Sequence, residues 1–249
     1  QGMDLYVAAC APHITEYNSH PPLRAAYDYL RNTRDNHMPL PTWLYAQGLS
    51  GVWNWGDDDD PWHIQPDPQE ILLQAMSVIA AGGKGIMWFQ TVQEEAEFAP
   101  ERWDAIARSN WMIRGVRRLL YEGDVTSMAS TGGNAIVDAI RSPDAIVVPV
   151  INLAWEEEVS DLACAQALFH PETPPHWVLA EQRLEIDVTV PADQAVLDVF
   201  EVTTNLEIAE VSYQIDADGR RVVFPGIDLD NDVPVRLFVL ANTGGLRDE

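Results

Sequence analysis

The first 123 residues alternate between two patterns of apolar and polar positions. Short apolar runs, which are typical of buried strands, alternate with longer stretches of helical periodicity. The runs predict strands at residues 4–11, 42–47 and 85–90, and the stretches predict helices at residues 23–36, 67–81 and 100–123. Three successive strand–helix units imply parallel strands, because parallel neighbours need a crossover connection.

One helix start is marked by a specific sequence signal. Asp67 stands at the cap position, Pro68 at the first helical position and Glu70 at the third. This arrangement predicts a capping box at the start of the helix. Gly82 and Gly83 follow the apolar stretch and predict its end.

The pattern changes near residue 124. Most of the remaining chain consists of short apolar runs separated by turn-forming residues. The runs lie at residues 135–140, 145–153, 184–190, 195–202, 209–215, 221–224 and 235–241. We therefore predict two domains, an α/β domain at residues 1–123 and an antiparallel β-sandwich at residues 124–249.

Composition excludes several classes of function. The chain has 249 residues, 39 acids and 15 bases, for a net charge of −24. Nucleic acids and anionic membranes carry the same sign of charge and are unfavourable partners. No stretch reaches the roughly 20 apolar residues of a membrane span. The histidines lack metal-ligand spacing and no phosphate-binding glycine loop occurs, so we predict no metal and no cofactor.

Three parallel strands make an incomplete domain. Apolar parallel strands are usually covered on both faces, and the strand at residues 4–11 is left with an open edge. We therefore expect further strands from upstream in a longer gene product, from another chain or from a second copy. The alternative is a compact α/β domain that uses the sandwich as its cover.

Three segments carry a resemblance to a known family. They are PTWLYAQG at 41–48, GGKGIMWFQ at 82–90 and SNWMIRGVRRLLYEGD at 109–124. With the sandwich, they resemble the last three βα units of a (β/α)8 glycoside hydrolase and its C-terminal β domain. The nearest likeness is to β-galactosidases and related retaining β-glycosidases. The resemblance implies a partial TIM-type barrel at 1–123, in which these segments match strand seven, strand eight and helix eight.

The resemblance also implies a catalytic position, and the sequence departs from it. Retaining hydrolysis needs two carboxyl groups about 5 Å apart. The family nucleophile is a glutamate that ends strand seven, where this chain has Gln47. The acid/base residue would come from strand four, which the chain lacks. Either Glu16 takes a catalytic role, or the protein binds sugar without catalysis, or the mechanism differs. Gln47 could also simply hydrogen-bond a neighbouring loop.

Tryptophans supply the second candidate feature. Seven of the nine precede residue 124. Aromatic rings pack on the apolar faces of sugars, so Trp53, Trp55 and Trp88 are candidates for a sugar platform. The alternative is that they are core residues. At the expected rim of the barrel, His13 and Gln90 are the candidates for hydrogen bonds to sugar hydroxyls.

The sequence thus predicts the C-terminal part of a glycoside hydrolase that acts on a β-linked glycan. The alternative is a catalytically silent carbohydrate-binding or structural module. The expected partners are a carbohydrate and either a further polypeptide portion or a homo-oligomer that completes the barrel. By analogy with other glycan-acting proteins, an extracellular or periplasmic location is favoured.

Overall fold

A computed structural model describes residues 4–5, 22–47, 67–89, 100–154, 179–205 and 207–244 of the chain. Its α/β part contains three parallel strands and four helices. The strands are β1 (Asp4–Leu5), β2 (Trp43–Gln47) and β3 (Gly85–Phe89). The helices are α1 (Pro22–His37), α2 (Pro68–Ala80), α3 (Pro100–Gly115) and α4 (Arg117–Glu122).

The three parallel strands form one sheet in the order β1–β2–β3. Leu5 pairs with Ala46, and Gln47 pairs with Phe89. Because the strands are parallel and in register, their carboxyl ends lie at the same edge of the sheet. The segments that carry most of the sequence-predicted site follow these strand ends in the chain.

The rest of the described chain forms two antiparallel sheets. The larger has seven strands, with the order β11-β10-β14-β8-β7-β4 and with β6 paired to β8. The smaller has the order β12-β13-β9-β5. The strands are β4 (Asp124–Thr126), β5 (Ala129–Thr131), β6 (Ala135–Val137), β7 (Ala139–Arg141), β8 (Ala145–Asn152), β9 (Gln182–Thr189), β10 (Asp198–Val202), β11 (Ile208–Glu210), β12 (Gln214–Ile215), β13 (Arg221–Leu229) and β14 (Val235–Ala241).

Strand β8 is buried on both faces and explains how the layers stack. Val147 and Ile151 belong to a cluster with the helices, whereas Ile146 and Val148 belong to a cluster with the smaller sheet. Successive side chains of a strand point to opposite faces, so the seven-stranded sheet lies between the helices and the second sheet. Apart from Asn152 at its end, β8 is apolar, as expected for this central position.

The two antiparallel sheets share one apolar core. Phe224 of β13 and Phe238 of β14 stack across it with ring centroids 4.6 Å apart. Ile186 and Val188 of β9 are fully buried in the same cluster. Burial of these branched and aromatic side chains is the main favourable contribution to the packing of the sheets.

Helix α2 is the element that joins the parallel sheet to the antiparallel part. Residues 70–80 are all buried, and Met76 lies in one hydrophobic cluster with Leu44 of β2 and Val239 of β14. The helix begins as its sequence predicts, because the Asp67 backbone N–H donates to Oε2 of Glu70 at 2.7 Å. The two predicted domains therefore share a core, and their exact boundary stays a prediction.

The coarse fold prediction is confirmed, because the protein combines helices with antiparallel sheets. Three predicted elements are divided. The helix at 100–123 breaks at Val116, and the strand at 135–140 breaks at Asp138. The run at 209–215 forms β11 and β12, which belong to different sheets. The short strands β4 and β5 were not predicted.

Candidate functional site

The sequence-predicted site lies mostly outside the described residues. His13, Glu16, Trp53, Trp55 and Gln90 all fall there, so their roles stay predictions. The backbone of Gln47 is described, and Gln47 is the last residue of β2 and the register partner of Phe89. Gln47, which the resemblance matches to the nucleophile position of the family, therefore lies at the carboxyl edge of the sheet.

The parallel sheet has two different faces near this edge. Leu44 and Ala46 are buried against the helices. The alternation of a strand places Trp43 and Tyr45 on the opposite face, with ring centroids 4.6 Å apart. Met87 pairs with Tyr45, and 48% of its surface is exposed. This second face is therefore apolar and aromatic.

Trp88 lies on the helix-facing side of β3. It is half-buried and packs against Ile71 of α2 and Ile106 of α3. Its indole Nε1 lies 3.4 Å from Oδ1 of Asn110, which accepts a long hydrogen bond. This location favours the packing interpretation of Trp88 over the sugar platform. The period-two pattern of β3 carries that signal, since Ile86 and Trp88 share one face of the strand.

A buried polar cluster joins α1 to the seven-stranded sheet, and no sequence pattern predicts it. The Tyr27 hydroxyl donates to Oδ2 of Asp138 at 2.5 Å, and Arg31 Nη1 lies 3.7 Å from the same oxygen. Burial, followed by the bond to Asp138, raises the pKa of Tyr27. Burial also raises the pKa of Asp138, although the Tyr27 bond and the Arg31 charge oppose that rise. The cluster therefore connects helix α1 to the seven-stranded sheet.

Lys84, the only lysine of the chain, binds backbone carbonyls at the end of α4. Lys84 precedes β3, and its amine donates to the carbonyl oxygens of Leu120 at 2.6 Å and Tyr121 at 3.4 Å, and also to that of Gly123. These carbonyls end α4, where a positive charge suits the helix dipole. Burial lowers the pKa of Lys84. All its donors are used on the backbone, so the amine is not placed as a nucleophile.

The described ranges contain neither a metal-ligand cluster nor a membrane-spanning helix. No group of three or more His, Cys, Asp or Glu side chains there could hold a metal ion. None of the described helices is both long and apolar enough to cross a membrane.

Comparison with known proteins identifies the fold. No family model and no curated protein sequence matches the chain. A solved structure described as a glycoside hydrolase matches with a TM-score of 0.50 at 8% identity, over 88% of this chain and 46% of that chain. The crystal structure of a family 5 glycoside hydrolase from Bacteroides vulgatus matches with a TM-score of 0.50 at 10% identity, over 89% of this chain and 46% of that chain.

A looser match is a Paenibacillus cycloisomaltooligosaccharide glucanotransferase complexed with cycloisomaltoheptaose. Its TM-score is 0.45 at 14% identity, over 70% of this chain and 27% of that chain, and it adds nothing to the assignment. The chain spans less than half the length of each of these structures. The protein thus has a glycoside-hydrolase-like fold, and the comparison does not select the β-galactosidase branch.

Proposed function

We propose that this chain is the C-terminal part of a glycoside hydrolase that acts on a β-linked glycan. The observation that carries the proposal is the glycoside-hydrolase-like fold, which extends over 88–89% of the chain in two solved structures. The order of elements supports the same proposal, since three parallel strands with their helices precede the antiparallel sheets, as in a barrel followed by a β domain. Fold alone does not define chemistry, so the residues of the site must carry the rest.

The missing catalytic carboxylates are expected on strands outside this chain. In this interpretation β2 and β3 are strands seven and eight of a barrel, and the aromatic face of Trp43 and Tyr45 is part of the barrel interior. A further polypeptide portion or a second copy contributes the other strands. Active sites of such barrels lie at the carboxyl ends of the strands, which is where Gln47 ends β2.

The proposed sugar contacts follow from the chemistry of the loops. Trp53 and Trp55 stack on the apolar faces of sugar rings, while His13 and Gln90 bind hydroxyl groups. Trp88 supports this surface from behind by packing on α2 and α3. Glu16 is the candidate carboxylate within this chain, and Gln47 binds substrate through its amide.

A second function is favoured by one residue. Gln47 stands where the resembled family has its nucleophilic glutamate, and an amide cannot carry the required negative charge. A catalytically silent carbohydrate-binding module needs no carboxylate pair. Glycan binding without turnover is the result that distinguishes this function from the hydrolase.

The test measures binding and hydrolysis of β-linked oligosaccharides by this chain together with the polypeptide portion or second copy that contributes the other strands. We expect both activities, and we expect Trp53→Ala and Trp55→Ala to weaken binding about tenfold or more, since a lost stacking contact costs about 1–3 kcal/mol. Trp111→Ala is the matched control, because Trp111 is an exposed tryptophan on α3 that stacks with Arg114. Equal binding by all three variants contradicts the proposed platform.

A further inference from the structure

A cavity of about 540 Å³ lies beside the start of β3. Gly83, Lys84 and Gly85 line it, whereas Gln90, one of the proposed sugar contacts, follows the other end of this strand in the chain. Its volume falls within the range of small-molecule sites. The apolar part of the lining consists of Val78 and Ile79 of α2, Ile86 of β3, and Ile113 and Leu120 of α3 and α4.

Positive charge converges on this cavity. Lys84, Arg117 and Arg118 all line it, although the chain has only 15 bases against 39 acids. Such a concentration is unexpected on a strongly acidic protein, where the surrounding field repels anions. It gives one local place where an anion can be held.

Only one of these three cations is available to a ligand. The Lys84 amine is engaged by the last carbonyls of α4. Arg118 Nη1 forms an ion pair with Asp144 at 2.8 Å. Arg117 is exposed, and no ion pair joins it to another residue in the ranges that the structure describes. Arg117 is therefore the guanidinium at the cavity that can take a new partner.

We propose that this cavity binds a small amphiphilic carboxylate, such as a medium-chain alkyl acid. The alkyl chain lies against Ile86, Ile113 and Leu120, and the carboxylate pairs with the Arg117 guanidinium, whose planar fork matches it. Lys84 assists without contact, because its charge neutralises the negative end of α4 that would otherwise oppose an anion.

The experiment compares three probes that share a ten-carbon chain, namely decanoate, decanol and decyltrimethylammonium, each below its micellar concentration. Titration calorimetry with the full chain is expected to show decanoate binding about tenfold more tightly than the cationic probe, as one charge-assisted hydrogen-bonded pair provides. Added salt is expected to reduce that difference.

Two arginine variants separate the ligand contact from general charge. Arg117→Gln is expected to lower decanoate affinity to that of decanol. Arg114→Gln removes the same charge from the same helical region and is expected to leave decanoate binding unchanged, since Arg114 stacks over Trp111 at 5.1 Å and does not line the cavity.

Three results overturn the proposal. Equal affinity for all three probes means that the cavity is an apolar surface without anion recognition. Equal loss in both arginine variants means that overall charge, not Arg117, governs binding. Absence of binding by a particle heavier than one chain means that another polypeptide covers the cavity. The first two results are read independently of the proposed hydrolase function, because the probes and the arginine variants do not involve the proposed glycan contacts.

Discussion

The hydroxyl of Tyr27 donates a 2.5 Å hydrogen bond to the carboxylate of Asp138, 111 residues later in the chain. Tyr27 belongs to α1, and Asp138 lies between β6 and β7. The bond therefore connects the helical layer to the seven-stranded sheet. Only 7% of Asp138 is exposed, so its carboxylate depends on protein partners instead of water.

Removing this donor is expected to destabilise the fold. Tyr27→Phe leaves the buried Asp138 carboxylate without this donor, although Arg31 Nη1 still lies 3.7 Å away. We expect a loss of about 1–3 kcal/mol in the free energy of unfolding. Urea denaturation, monitored by circular dichroism, measures this loss of stability. Tyr121→Phe is the control, because 81% of Tyr121 is exposed. A loss of the same size in both variants contradicts the role given to the bond.

The same pair predicts a loss of stability at alkaline pH. The pKa of Tyr27 is raised in the fold from its ordinary value of 10.0, first by burial and then by Asp138. Above pH 10 the unfolded chain releases a proton that the folded chain retains, so stability falls as pH rises. Thermal melts between pH 8 and 11 are expected to show a smaller decrease for Tyr27→Phe than for the parent chain. Parallel decreases would show that Tyr27 does not supply this dependence.

Lys84 is expected to stabilise the end of α4. Lys84→Met keeps the aliphatic stem but removes the donors to the carbonyls of Leu120, Tyr121 and Gly123. Because these carbonyls lose their partner, we expect a loss of about 1–3 kcal/mol in the free energy of unfolding. Lys84→Arg keeps the charge and is expected to lose less. Equal stability of Lys84→Met and the parent contradicts the capping role.

Trp88→Ala distinguishes a packing residue from a sugar contact. Its location against Ile71 and Ile106 predicts a loss of about 2–4 kcal/mol in stability. At temperatures where the variant remains folded, glycan affinity is expected to change little. Denaturation and binding assays on the same sample measure both quantities. Unchanged stability with lost glycan binding would restore Trp88 to the sugar platform.

Local sequence signals predicted the elements that depend on local physics. The cap at Asp67 and the strand Val235–Ala241 agree with their sequence patterns. The strands at Asp124–Thr126 and Ala129–Thr131 were not predicted, because their short sequences contain no apolar run. They form because neighbouring strands pair with them, which is a tertiary effect on a weak local preference.

Other features depend on contacts between distant residues. Asp138 interrupts the predicted strand at 135–140, and its partner Tyr27 lies in another layer, so no spacing rule connects them. Trp88 is a candidate for the sugar platform from its aromatic chemistry, and the alternation along β3 places it on the helix-facing side of the sheet, where it packs on Ile71 and Ile106. The loops with Trp53 and Trp55 lie outside the described residues, and their roles rest on chemistry alone.

The native mass of the purified particle, measured by light scattering beside the intact mass of each polypeptide, tests the central proposal most directly. We expect a particle heavier than one 27.8 kDa chain, because the proposed function requires barrel strands from a longer polypeptide, a second chain or a second copy. A stable 27.8 kDa monomer would contradict it. Three strand–helix units would then be sufficient alone, and the catalytically silent binding module would replace the hydrolase.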